Sequence, residues 1–89
     1  LMHTLFVGAD GIDIQSGVSA YSSDEAEFNE PMVNHARRRI AVVDHTKFGV
    51  VANWRMCEAG ELSAVVTDTD ATQSMIMPFK KLGVQVICV

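Results

Sequence analysis

Three aspartates and one lysine are the residues of this chain best suited to do chemistry. Asp44 and Lys47 follow the apolar run IAVV at 40–43, Asp68 follows AVVT at 64–67, and Asp10 follows TLFV at 4–7 by way of Gly8 and Ala9. Carboxylates accept hydrogen bonds in pairs, which suits the vicinal hydroxyls of a sugar. A lysine beside backbone amides at a turn suits a phosphate. Together they describe a phosphorylated sugar better than a nucleotide, because the chain has no G-x-G-x-x-G or Walker loop. A divalent cation would want oxygens from at least two of the aspartates, and the nearby ammonium of Lys47 would oppose it. No metal or other cofactor is therefore assigned. Nor is any catalytic residue: there is no G-x-S-x-G elbow and no Cys/His pair at a telling spacing. His45 would point to the face opposite Asp44 if the strand continued through it, which argues against a dyad. His3 and His35 read as surface residues.

The elements that must position these groups are short. The residues at 40–43 are β-branched or small and do not alternate with polar ones, so they read as a strand buried on both faces, as in a parallel sheet. Positions 4–7 form a similar strand, and Gly8 and Gly11 allow positive φ or close backbone approach in a loop that carries Asp10 and Asp13 and runs on through Gly17 to Ser23. Ser22 and Glu25 have the spacing of a capping box. A helix is expected from there to about Arg38, with Phe28, Met32, Val33 and Ala36 on its buried stripe and Pro31 kinking it or starting a second segment. Arg37, Arg38 and Arg39 would suit the negative end of its dipole.

Positions 48–55 read either as a short extended piece or as an irregular crossing that ends on Trp54. Positions 58–62 suggest a turn, and 64–67 a third buried strand. Asp70 and Gln73 would cap a helix over 71–82 with Met75, Ile76, Phe79 and Leu82 inward, Pro78 distorting it and Gly83 ending it. A last strand covers 84–89. The fold class is thus α/β: a mostly parallel sheet with helices on both faces, its strands joined by right-handed crossovers. Ligands of such sheets bind at the carboxyl ends of the strands, which is where Asp10, Asp44, Lys47 and Asp68 would gather.

At 89 residues the chain is one domain at most. Its hydrophobic content of 48% places it among globular chains rather than disordered ones. A net charge of −4 with scattered cations argues against direct nucleic-acid contact. No apolar run approaches the ~20 residues needed to span a membrane. Cys57 and Cys88 lack zinc-ligand spacing. Cys88 reads as a small core residue and Cys57 as a free thiol near the surface, and the pair fits a reducing cytoplasm. The start at Leu1, in mid-pattern and without an initiator, leads us to expect residues before it.

Several pieces, in order and over nearly the whole chain, resemble one family. They are GADGID-x-x-x-GVS at 8–19, DEAE-x-N at 24–29, VVD-x-TKF at 42–48, VVTD at 65–68 and a closing GV-x-V at 83–86. This pattern is similar to the C-terminal effector-sensing domain of the DeoR family of bacterial sugar-operon repressors. The resemblance implies a Rossmann-like fold related to ribose-5-phosphate isomerase and sugar-phosphate deaminases. It implies that residues 1–89 form a single, partial sensor domain whose first part, with a glycine-rich loop, lies outside this chain. The partners implied are a phosphorylated sugar effector, operator DNA through a separate N-terminal helix-turn-helix domain, and further copies in a homo-oligomer.

Compared with the isomerase motif D-G-A-D-E, Asp10 and Asp13 are kept and Ile14 replaces the glutamate. D-x-S-K compares with Asp44-His45-Thr46-Lys47, whose lysine would take the phosphate. The catalytic glutamate compares loosely with Glu25, but the K-G-G-G-G-type loop before it has no counterpart. Binding groups are kept better than catalytic ones. The expected site is therefore Lys47 on phosphate, Asp10 and Asp13 on sugar hydroxyls, Asp44 orienting the lysine or capping the turn, and Gly8, Gly11, Glu25 and Asp68 alongside. The expected activity is sensing rather than catalysis, with a sugar-phosphate isomerase or deaminase as the alternative.

Overall fold

The computed structural model describes residues 4–24 and 35–89. Four strands build a parallel sheet: β1 (Thr4–Gly8), β4 (Arg38–Val42), β6 (Ala64–Thr67) and β7 (Gln85–Cys88), side by side in that order. A second, antiparallel sheet consists of β2 (Gly11–Asp13), β3 (Gly17–Ala20) and β5 (Trp54–Cys57). The one helix described in full, α1 (Gln73–Lys81), connects β6 to β7. The protein is therefore α/β with a mostly parallel sheet, as the sequence indicates, plus an antiparallel sheet that the sequence did not reveal.

The hairpin of β2 and β3 occupies what reads as continuous loop in the sequence. Its strands are too short for periodicity to register, and its turn chemistry is what defines it. Asp13 accepts the amides of Gln15 and Ser16 at 3.0 and 2.8 Å, and Gly17 follows at φ +83°. That is the pattern of a three-residue hairpin loop closed by a left-handed residue. A Cβ on Gly17 would stand 2.1 Å from the carbonyl oxygen of Cys57 across the sheet. Gly17→Ala should accordingly lose about 2–4 kcal/mol of stability, combining left-handed strain with overpacking. Chemical denaturation would measure it, and a loss below about 0.5 kcal/mol would contradict the close approach.

Helix α1 begins at Thr72, whose hydroxyl accepts the amide of Met75, so the cap lies between the two expected residues, Asp70 and Gln73. It ends as a Schellman motif: Gly83, at φ +87°, donates to the carbonyl of Lys80, and Val84 donates to that of Phe79. Pro78 is accommodated within the helix, and Ile76 and Phe79 are buried while Leu82 at the C-cap is exposed. Position 82 is where the chain leaves the helix, so the inward stripe stops one turn earlier than its spacing suggests.

The helix expected between Ser22 and Arg38 falls mainly on residues 25–34, outside the described residues. Arg38 and Arg39 belong to β4 and do not end a helix. Arg39 pairs with Leu5, its amide donates to Ser63 Oγ at 3.2 Å, and its guanidinium reaches the carbonyl of Glu61. Strand pairing on both sides outweighs the helix-dipole argument there.

The core lies between the two sheets and α1. Leu5, Val7, Ala41, Val43 and Val65 meet Ile12, Val18, Met56 and Cys57 in one buried cluster with Phe79 and Val84. Both cysteines are free, but their settings are the reverse of those expected: Cys57 is buried and Cys88 is exposed. Cys57 lies on the inner face of the antiparallel sheet, and Cys88 lies at the end of the last strand. Burial pushes the Cys57 thiol up to about 11, so it is a packing group rather than a nucleophile. The opposite face of the parallel sheet carries Phe6, Val42 and Ile87, all exposed. Because the strand order is sequential, right-handed crossovers all pass over the same face. Among the described residues the covering elements lie on that side, not on both. No helix of the described residues is long and apolar enough to cross a membrane.

Candidate functional site

The ends of β1, β4 and β6 fall side by side because these strands are parallel neighbours in register: Gly8 pairs with Val42, and Val42 with Val66. Beyond Val42 the chain does not continue as a strand. Asp44 caps a short 3₁₀ turn, His45–Lys47, by accepting the amide of Thr46 at 2.8 Å as well as the Thr46 hydroxyl. Those two donors, the hydroxyl first, hold the Asp44 carboxyl below its usual range, and Lys47 adds to the effect. In a 3₁₀ turn residues three apart eclipse each other. This brings Lys47 Nζ to 3.9 Å from the second oxygen of Asp44. Asp44 thus caps the turn and stands beside the lysine.

Asp68, leaving β6, reaches across to the same turn. It accepts the backbone amide of His45 at 2.9 Å, and its two oxygens lie 3.1 and 2.9 Å from His45 Nδ1. One of them also takes the amide of Asp70 at 2.9 Å. The His45 ring therefore holds the Asp68 carboxyl below its usual value, and Asp68 in turn raises that of His45. This pair corrects the expectation against a His45 dyad. That expectation assumed an unbroken strand, whereas the 3₁₀ turn rotates the imidazole toward β6. The local sequence signals the turn but not the direction of the ring. The usable signal was Asp44 two residues before Thr46, which is the spacing of a capped turn.

The shifts have opposite signs, so the pair has a pH window. The His45 contribution is complete below its unfolded value of about 6.5 and is lost as pH rises through the higher folded value. The Asp68 contribution is complete above its unfolded value of about 3.9 and is lost as pH falls through the lower folded one. The stability difference between wild type and His45→Gln should therefore be largest between about pH 4 and 6.5 and shrink above neutrality. Thermal melts from pH 3 to 9 would show this; a difference flat in pH would contradict the ionic pair.

The remaining candidates are dispersed. Gly8 ends β1, beside the turn. Asp10 accepts the amide of Tyr21 at 2.8 Å and so ties the loop after β1 to the end of β3. Gly11 opens β2 with its α-carbon packed against Val50, where a Cβ would come 2.3 Å from a carbonyl oxygen. Asp13, besides ordering the hairpin turn, lines a cleft of about 230 Å³ with Ile12, Phe48, Gly49, Met75 and Phe79. That cleft adjoins the Lys47 turn through Phe48 and Gly49. Glu25 lies outside the described residues.

Asp44, His45 and Asp68 each offer one donor atom within 4.8 Å of the others. Nδ1 and the Asp68 oxygens already satisfy each other, however, and the Lys47 ammonium faces Asp44. The ammonium beside Asp44 opposes a cation at that carboxylate.

With this geometry in view, comparison with known proteins places the chain. It belongs to the family of DeoR C-terminal sensor domains, whose profile matches residues 2–69. It is 33% identical over 85 residues to an Escherichia coli O157:H7 protein named as an aga operon transcriptional repressor, covering 96% of this chain and 32% of that one. It is 30% identical over 63 residues to the deoxyribose operon repressor of Escherichia coli K12, covering 71% and 25%. It is 28% identical over 83 residues to the HTH-type transcriptional regulator GlpR of Haloferax volcanii, covering 93% and 32%. The chain spans about a third or less of these relatives. By their names they regulate transcription, so the family is regulatory rather than enzymatic.

Proposed function

We propose that this chain is the effector-sensing part of a bacterial transcriptional repressor, and that it binds a phosphorylated intermediate of sugar or polyol catabolism. The observation that carries the reading is the Asp44–Lys47 turn: an ammonium positioned beside a capped turn, at the carboxyl edge of a parallel sheet. Phosphate binding at Lys47 follows from the charge of its ammonium, since the amides of residues 45–48 are already taken by Asp68, Asp44 and His45. Asp10 and Asp13 would take sugar hydroxyls with their remaining oxygen capacity, Asp44 steers Lys47, and Asp68 fixes the turn. Gly8 leaves open space at the end of β1, Gly11 packs against Val50, and Glu25 is a further ligand-binding candidate.

On this reading residues 1–89 are one partial sensor domain of Rossmann-like kind, akin to ribose-5-phosphate isomerase. The regulator is a cytoplasmic homo-oligomer that contacts operator DNA through a separate helix-turn-helix domain. In the intact regulator, a series of sugar phosphates and their unphosphorylated parents, titrated against an operator complex, tests the assignment. Release by a phosphorylated member but not by its parent is the expected result. Release by both would remove the phosphate from the recognition, and turnover of the sugar phosphate would point to an enzyme.

A further inference from the structure

The lysine is not the only basic group on this turn. His45 opens it, two residues before Lys47, and is held at two points by Asp68: through its backbone amide at 2.9 Å and through Nδ1 at 2.9 Å. Asp68 is itself braced by the amide of Asp70. The ring is thus fixed in orientation while its side chain stays 36% exposed. Nδ1 is committed to the carboxylate, so the ring's other nitrogen, Nε2, is the free one; it has no hydrogen-bond partner among the described residues. When the ring is neutral, with its proton on Nδ1, Nε2 offers a lone pair. When the ring is protonated, Nε2 offers an N–H on a cation. The brace holds the ring in one orientation at the edge of the sheet. The backbone amide alone would tie the turn to β6.

We infer that His45 is a second ligand-contacting residue of this edge, its Nε2–H donating to the same anionic group that Lys47 neutralises. The inference rests on the proposed phosphate site. The charges acting on the ring are Asp68 and Asp70 from the end of β6 and Asp44 from its own turn, all favouring the imidazolium, with the Lys47 ammonium at the far end of the turn. An anion beside Nε2 adds one more negative charge, so binding draws a proton onto His45. By linkage, protonation of His45 strengthens binding by the same factor. Effector sensing is then coupled to pH in the range where histidine titrates.

Sulfate is the probe of choice, since it keeps its charge across that range while a phosphate ester gains a proton near pH 6. Sulfate binding to the full-length regulator is compared at pH 6 and pH 8.5 for wild type, His45→Gln and Lys47→Met. The expected result is binding about tenfold weaker at the higher pH in wild type, the worth of one charge-assisted contact. In His45→Gln the pH dependence should disappear, and in Lys47→Met binding should weaken at both pH values. Equal pH dependence in wild type and His45→Gln overturns the inference and leaves the Lys47 site standing. Sulfate binding that ignores Lys47→Met, or that is absent in wild type, overturns the phosphate site and the inference with it.

A second readout needs no folded variant of His45. The imidazole resonance of His45 should titrate about one pH unit higher in saturating sulfate, the same tenfold factor seen from the proton's side. A ring that serves only to brace the turn would keep its midpoint. That outcome would refute the contact.

Discussion

Lys47→Met in the intact regulator is expected to leave operator binding in place and to weaken release by the phosphorylated sugar roughly ten- to a hundredfold. The substitution keeps the length and most of the apolar stem of the side chain and removes only the charge. The ammonium lies 3.9 Å from Asp44 on a half-exposed turn, so its ion pair contributes little to folding. The turn itself is held by the Asp44 cap and by Asp68, neither of which needs the lysine. A charge-assisted bond to phosphate, by contrast, is worth about 1.5–3 kcal/mol, or roughly ten- to a hundredfold in affinity. Titration of operator complexes with effector would show the midpoint displaced by that factor. A variant that responds like wild type would move the phosphate elsewhere in the molecule.

The largest expected effect on stability is that of Phe79→Ala. Phe79 is 2% exposed and meets Phe48 edge to face, with ring centroids 5.6 Å apart and an interplanar angle of 82°. Removing a buried phenyl ring costs about 3–5 kcal/mol, out of the roughly 5–15 kcal/mol by which a typical protein is stable. The melting temperature of a domain this size should fall by at least about 12 °C. The consequence reaches the site, because Phe48 directly follows Lys47 and both phenylalanines line the adjoining cleft. Loss of the ring contact should therefore weaken effector binding beyond what global unfolding explains, measured below the new melting point. Phe6→Ala is the natural comparison: Phe6 is 65% exposed, and a surface change of that kind stays within about 0.5 kcal/mol. Equal losses at both positions would mean that the core has been misplaced.

Much of this could be read in the chain itself. Runs of apolar residues ending in aspartate gave the parallel strands and put Asp44, Lys47 and Asp68 at their carboxyl ends, but the burial on both faces that such runs suggest is not met at Phe6 and Val42, which are exposed. The motifs around positions 8–19 and 42–48 gave the family. Gly83 gave the end of α1, since only a residue free to take positive φ closes a Schellman motif cheaply.

Other features were decided only by the tertiary structure. A three-residue strand such as Gly11–Asp13 carries no periodic signal, so the hairpin at Gly17 exists in the sequence only as a turn. Burial of Cys57 and exposure of Cys88 depend on which sheet covers which face, and the sequential strand order decides that. For His45, whether the backbone runs on as a strand or breaks into a 3₁₀ turn sets the direction of the ring. The break is fixed by a cap at Asp44 and by Asp68, a carboxylate 23 residues further along the chain. Local sequence therefore determined which groups stand at the edge of the sheet. Contacts between strands distant in sequence determined which way they face and which of them act together.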